Sequence, residues 1–228
     1  EIGPGRKITM RILRYFVPLA LILVNACSAV SASPTQPPAT LLSPPTEIIQ
    51  PTPTIVQVFI PIDGFEASET AWKAGTIADF SDSSAMSVAL TPEHASQGAQ
   101  ALQLNFEQND KPKAIFFLDQ QLDLSQARFL QFDFYHAGAV GGVGIALTTG
   151  PDSVWYESDG FPAAKGNSVS LSFDLSASNF KAASTNWEFL ASIPDLNNVH
   201  RLAIIIYPAG SGSAYMDAIR LSSATPGP

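Results

Sequence analysis

Leu130-Gln131-Phe132-Asp133-Phe134-Tyr135 decides the fold class. In an extended chain Leu130, Phe132 and Phe134 point to one side, and Gln131, Asp133 and Tyr135 to the other. One apolar face and one polar face at period two mark a strand buried on one side. The pattern recurs. Val169, Leu171, Phe173 and Leu175 alternate with Ser and Asp, and Leu202, Ile204 and Ile206 alternate with Ala203, Ile205 and Tyr207. Strands are predicted over 58–66, 86–91, 101–107, 114–124, 128–136, 142–148, 153–158, 168–175, 200–207 and 213–222. No long stretch keeps a 3.6-residue period. Many short strands between Gly, Asp, Asn and Ser predict an all-β domain, a β-sandwich of two antiparallel sheets. At about 165 residues such a domain buries a full core unaided.

Outward from the domain the composition changes. The chain has 228 residues, 46% of them hydrophobic and 14% charged, with a formal charge of −8. Residues 1–26 carry Arg6, Lys7, Arg11 and Arg14 against Glu1, so the remainder stands at −11. An acidic product of this kind has no electrostatic grip on phosphate backbones, and no nucleic-acid partner is expected. Cys27 is the only cysteine, which excludes an internal disulfide, a Cys-based zinc site and a C-x-x-C redox pair.

Residues 1–26 read as a signal segment, with Met10 expected as the true start. Arg11 and Arg14 are its positive region, Tyr15 to Val24 its apolar region, and Ala26 the small residue before Cys27. An apolar run of about ten residues is too short to span a bilayer, which takes about 20. Cleavage near Ala29 or Ala32, as in a plain signal peptide, is the alternative. Residues 27–56 are rich in Pro, Ser and Thr, read as a disordered, extended linker. At about 3.1 Å per residue it reaches up to roughly 70–80 Å. The domain is placed at 57–223, followed by a tail at 224–228. The Leu23-to-Cys27 stretch resembles a bacterial lipoprotein signal. That resemblance implies a lipid on Cys27, anchoring in the cell membrane or outer membrane, and an extracytoplasmic site of action.

Two sets of residues suggest chemistry within the domain. Asp217 shares parity with Ile219 and Leu221, so a carboxylate is expected on an apolar face, where it needs a partner. Glu66 closes the first predicted strand. First and last strands of a sandwich often adjoin, and two carboxylates there suit Ca²⁺ held by oxygen ligands. Capping of a loop by Asp217, or an ion pair with Lys or Arg, are the alternatives. The second set is aromatic. Exposed rings stack on the apolar faces of sugars, while carboxylates, amides and His bond the hydroxyls. Tyr135, His136, Trp155, Tyr156, Glu157 and Trp187 are candidates, with Asp133 on the Tyr135 face. Trp155 and Tyr156 must face opposite sides, one core and one outward. Trp72 is expected in the core.

The segments DGFE (63–66) with Trp72, TPEHASQGAQALQLNF (91–106), LDLSQARFLQFDFY (122–135) and SAYMDAIRL (213–221) resemble the jelly-roll carbohydrate-binding modules of the galactose-binding-like superfamily. Such modules accompany bacterial glucanases, mannanases and xylanases. The resemblance covers most of 58–222 and implies a jelly roll. It also implies a structural calcium held by Glu66, Asp217 and carbonyls of the Ser96-Gln97-Gly98 loop. A polysaccharide or oligosaccharide ligand would be met by Tyr135, Trp155 and Trp187, with Asp133, His136 and Glu157 as polar partners. The same jelly roll occurs in a complex I assembly-factor family, so a structural or protein-binding envelope domain is the second reading. No G-x-S-x-G, P-loop, H-E-x-x-H or G-x-G-x-x-G motif is present. His94, His136 and His200 form no metal pattern. Glu157 and Asp159 share a strand face as a glycosidase acid pair would, but Asp159-Gly160 reads as turn chemistry. The expectation is therefore a non-catalytic, monomeric saccharide binder.

Overall fold

The computed structural model describes residues 58–223. The expected signal segment, Cys27, the expected linker and the tail lie outside the described residues. Twelve strands are present: β1 (Phe59–Asp63), β2 (Trp72–Ala74), β3 (Met86–Thr91), β4 (Ala101–Phe106), β5 (Ala114–Leu118), β6 (Phe129–His136), β7 (Val140–Thr149), β8 (Val154–Ser158), β9 (Val169–Asp174), β10 (Phe180–Lys181), β11 (Val199–Pro208) and β12 (Gly212–Ser222). The first sheet runs β3-β4-β12-β6-β9, with β1 also on β12. The second runs β10-β8-β7-β11-β5-β2. Every pairing is antiparallel. This is the expected all-β jelly-roll sandwich.

The core lies between the sheets, as the period-two pattern requires. Leu130, Phe132 and Phe134 of β6 face Phe116 of β5 and Ile145 and Ile204 of the second sheet within one buried cluster. Each such side chain contributes about 1.5–3 kcal/mol by leaving water. Trp72 is in this core, and its indole N–H donates to Asp63 Oδ2 at 3.0 Å.

Strand β12 differs from expectation in an instructive way. Ala214 and Met216 face the core, and so do Ile219 and Leu221. That sequence skips from even to odd positions. The skip is a β-bulge at Asp217-Ala218, where the register with β6 shifts and Ala218 takes φ 50°. Asp217 therefore lies on the outer side, opposite Asp133, and does not share the Ile219 and Leu221 face. The bulge also divides one edge of β12 between β4, along Gly212–Met216, and β1, along Ile219–Ser222.

Strand ends follow local chemistry. β1 stops at Asp63, short of the predicted 66, because Asp63 Oδ1 accepts the Phe65 N–H at 2.9 Å and Phe65 turns to φ 60°. β5 stops at Leu118, short of 124, because the following Asp119 turns outward to pair with Lys73 and Arg201. β2 and β10, three and two residues long, carry no alternation long enough to read.

Candidate functional site

The two outer faces of the sandwich are unlike. On the second sheet, β5 and β11 are apolar on both parities. Ile115, Phe117, Ala146, Ala203 and Ile205 form a second buried cluster on the outer side, with Ile77, Trp155 and Tyr207 packed against it. One ladder row crosses all six strands: Lys181, Glu157, Ala146, Ala203, Phe117 and Lys73. The small residues at its centre leave a trough between taller flanks.

A cavity of about 380 Å³ opens there, lined by Ile77, Phe80, Lys113, Trp155, Glu157, Lys181 and Trp187. A second of about 350 Å³ lies beyond Trp155, lined by Asp119, Thr148, Ser153, Trp155, His200 and Arg201. Trp155 thus walls both parts of one groove. Its ring meets Phe117 edge-on, with centroids 6.2 Å apart. Tyr156 faces the core, as strand alternation demands.

Trp187 forms the far wall and is 54% exposed. A tight turn presents it. Thr185 Oγ1 donates to the Glu188 carbonyl at 2.7 Å, and the Trp187 N–H donates to the Ala182 carbonyl at 3.0 Å. Asn186 and Trp187 both take left-handed backbone, at φ 52° and 63°. For a bulky ring that conformation costs on the order of 1–3 kcal/mol, a strain typical of ligand-contacting positions. Phe80, 49% exposed, lines the same cavity and is carried on the turn closed by Ile77 and Ser81.

The floor holds a buried charge cluster. Glu157 is 3% exposed. Lys113 Nζ donates to both its oxygens, at 2.7 and 2.8 Å, and Lys181 Nζ reaches Oε1 at 2.8 Å. The Tyr207 hydroxyl donates to Oε1 at 3.1 Å, and the Trp155 indole lies 3.4 Å from Oε2. Burial pushes the Glu157 carboxyl up, but the hydrogen bonds from Lys113 and Lys181 outweigh it, and the net shift is downward. Burial also pushes the Lys113 ammonium down, more than its shared carboxylate restores. The two directions agree physically, because one carboxylate serves two ammonium groups. Burial and the Glu157 charge push the Tyr207 phenol up.

The six sequence-selected saccharide residues do not converge. Trp155, Glu157 and Trp187 meet in the groove. Asp133 and Tyr135 lie on the outer face of the first sheet, on β6. There His94 stacks on the Tyr135 ring at 3.6 Å and 15°, covering it, and Tyr215 stands 6.0 Å away. Asp133 accepts from Arg220 at 3.1 Å and from Ser96 Oγ at 2.7 Å. In a larger cleft of about 550 Å³ beside Asp133, the Asp133 carboxylate is engaged by Arg220 and Ser96. The cleft's one ring, Phe59, lies under the Arg220 guanidinium. His136 is 2% exposed and donates through Nε2 to the Ala163 carbonyl at 3.0 Å, so it is a core residue. Its parity with Leu130, Phe132 and Phe134 already points it inward, and it ends β6 under the 163–166 loop. Lys113, Lys181, Phe80 and Phe117 were missed. The signal for them was the run Ala114–Leu118, apolar on both parities, which means a strand covered on both sides.

The expected calcium ligands have other partners. Asp217 Oδ2 accepts the N–H groups of Ser96 and Gln97, at 2.7 and 2.8 Å, and Oδ1 accepts the Ala218 N–H. Glu66 Oε1 accepts the N–H groups of Ala99 and Gln100, at 2.8 and 3.1 Å. Gly98, at φ 66°, permits this, since a Cβ there would stand 2.2 Å from Glu66 Oε1. The carboxylates thus face amide hydrogens, and Gln97 offers its N–H where the expectation needed a carbonyl. Among the described residues no three of His, Cys, Asp and Glu gather for a metal. The donor set does not fit the ion; it ties the 96–100 loop directly.

Comparison with known proteins agrees with this architecture. No curated protein matches the sequence. Among solved structures, the family 11 carbohydrate-binding module of a cellulosomal cellulase of Clostridium thermocellum superposes with a TM-score of 0.55 at 12% identity, covering 75% of this chain and 97% of that one. The same family's module in complex with a β-1,3-1,4-mixed-linked tetrasaccharide gives 0.53 at 12%, covering 72% and 94%. An exo-β-agarase gives 0.53 at 13%, covering 73% of this chain and 25% of that one. These likenesses establish a shared fold. A family model described as mannanase, galactose-binding domain-like, matches residues 63–187, more than half of the chain. The chain belongs to that galactose-binding-like family.

Proposed function

We propose that this domain binds polysaccharide or oligosaccharide without cleaving it, in the groove on the outer face of the second sheet. The observation that carries the reading is that Trp155 and Trp187 line one cavity, with Phe80 beside them. Flat rings over an apolar trough match the C–H faces of pyranose units, and the rim charges match their hydroxyls. The fold supports the reading, since one similar module was solved with a tetrasaccharide. Catalysis is not part of it. A general acid for glycoside cleavage needs a raised pKa, whereas Glu157 is held low by two lysines. Asp159, its proposed partner, is exposed and bonds its own loop through the Gly160 N–H. We further propose that a lipid on Cys27 holds the domain outside the cytoplasm, at a membrane surface.

Affinity electrophoresis in gels containing mixed-linked β-glucan, galactomannan or xylan tests the groove. Retention in at least one gel, lost in Trp187→Ala with an unchanged melting temperature, is the expected result. No retention in any gel, together with envelope proteins co-purifying on the exposed Phe80–Trp187 patch, would favour the protein-binding reading. Labelling with radioactive palmitate, abolished in Cys27→Ser, tests the anchor.

A further inference from the structure

We infer that the groove is built for an acidic saccharide, a chain containing uronic-acid units, an inference that rests on the groove being the saccharide site. Between Val58 and Ser223 there are eight Lys and Arg residues against eighteen Asp and Glu residues, a balance of −10. The ion pairs of the groove invert that sign. Lys113 and Lys181 face only Glu157 at one end. Lys73 and Arg201 face only Asp119 at the other, with Lys73 Nζ at 2.6 Å. Half of the domain's cations thus sit on this face against two carboxylates. Asp79, Asp159 and Glu188 adjoin the rim in sequence, and none is ion-paired to these cations among the described residues.

The hydrogen-bond inventory points the same way. Two ammonium groups, a phenol and an indole bring eight donor hydrogens to Glu157, whose carboxylate offers about four lone-pair sites. The surplus donors sit on half-buried lysines, where a ligand carboxylate would be held by charge-assisted bonds in partly desolvated surroundings. Trp155 stands between the two triads as a wall of both cavities. A chain stacked on it would place successive acidic units toward the two cationic ends. A neutral glycan uses the same groups as hydroxyl partners but gains nothing from their surplus charge.

Calorimetric titration with an oligogalacturonate, and with the same oligomer after reduction of its carboxyl groups, tests the inference. The acidic oligomer is expected to bind about tenfold tighter, from one or two charge-assisted bonds. Lys181→Met and Arg201→Gln should each bring the ratio toward one, weakening the acidic oligomer several-fold more than the reduced one. Neither variant strands a carboxylate, because Lys113 stays on Glu157 and Lys73 on Asp119; melting curves check that both fold. Equal affinities, or tighter binding of the reduced oligomer, would overturn the inference and leave the saccharide site standing. Binding of neither oligomer would overturn it as well, and the neutral-polymer gels would then show whether the saccharide reading falls too.

Discussion

The outer faces of the two sheets come from one chain and one architecture, yet they differ in kind. The first sheet presents Gln103, Asn105, Ser213 and Tyr215 in a ladder of neutral hydrogen bonds. Its charged pair, Asp133 with Arg220, is partly solvated, and its ring Tyr135 is already stacked. The second sheet presents Ile115, Phe117 and Ile205 under a half-open roof of rings and paired charges. Apolar side chains on the solvent side of central strands are costly unless something covers them. The difference teaches that the first face satisfies itself, while the second, the proposed ligand face, is left partly uncovered.

Breaking the charge floor should have the largest effect. Glu157→Ala leaves two ammonium groups facing each other without a counter-charge, and should cost about 3–5 kcal/mol in urea unfolding. Asp133→Ala on the opposite face removes a partly exposed pair and should cost about 1 kcal/mol or less. Similar losses from both would erase the distinction between the faces.

Acid should act next. Glu157, Asp119 and Asp174 all have folded pKa values below their unfolded ones, Asp174 near about 2 beside Arg128. Their stabilisation is therefore fully present above the unfolded values near pH 4, and is lost as pH falls through the folded values. Melting temperature should fall steadily below about pH 4, and less steeply in Glu157→Gln. A flat profile would show that these pairs contribute nothing.

Ala218→Gly should give a smaller gain. Ala218 sits at φ 50° in the β12 bulge, and Gly there relieves about 1 kcal/mol. A loss would mean that the bulge is not strained. Smallest of all is the response to chelator. Because Asp217 and Glu66 already bond loop amides, EDTA should leave the melting curve unchanged; a drop would restore the calcium expectation.

Much of this was legible in the residues. Alternation in Leu130–Tyr135 and Leu202–Tyr207 gave the sheets and their inner faces, and adjacency of Trp155 and Tyr156 gave one outward ring. The bulge was not legible, because a single left-handed Ala carries no sequence mark, and parity beyond it misplaced Asp217. The groove was only half legible. Trp155, Glu157 and Trp187 were chosen for their chemistry, but pairing Lys181 with Glu157 depends on a two-residue strand too short to read. Tyr135 has the same chemistry, and nothing in its own segment announces that His94, 41 residues earlier in the chain, covers it.

The most direct test is an NMR titration of the three indole N–H resonances with a saccharide retained in the gels. Trp72, buried with its N–H on Asp63, serves as the internal reference. The account predicts that the Trp155 and Trp187 resonances move while Trp72 and the amides of Asp133–His136 stay in place. Shifts confined to the Tyr135 and Tyr215 face, with both groove indoles unmoved, would contradict it.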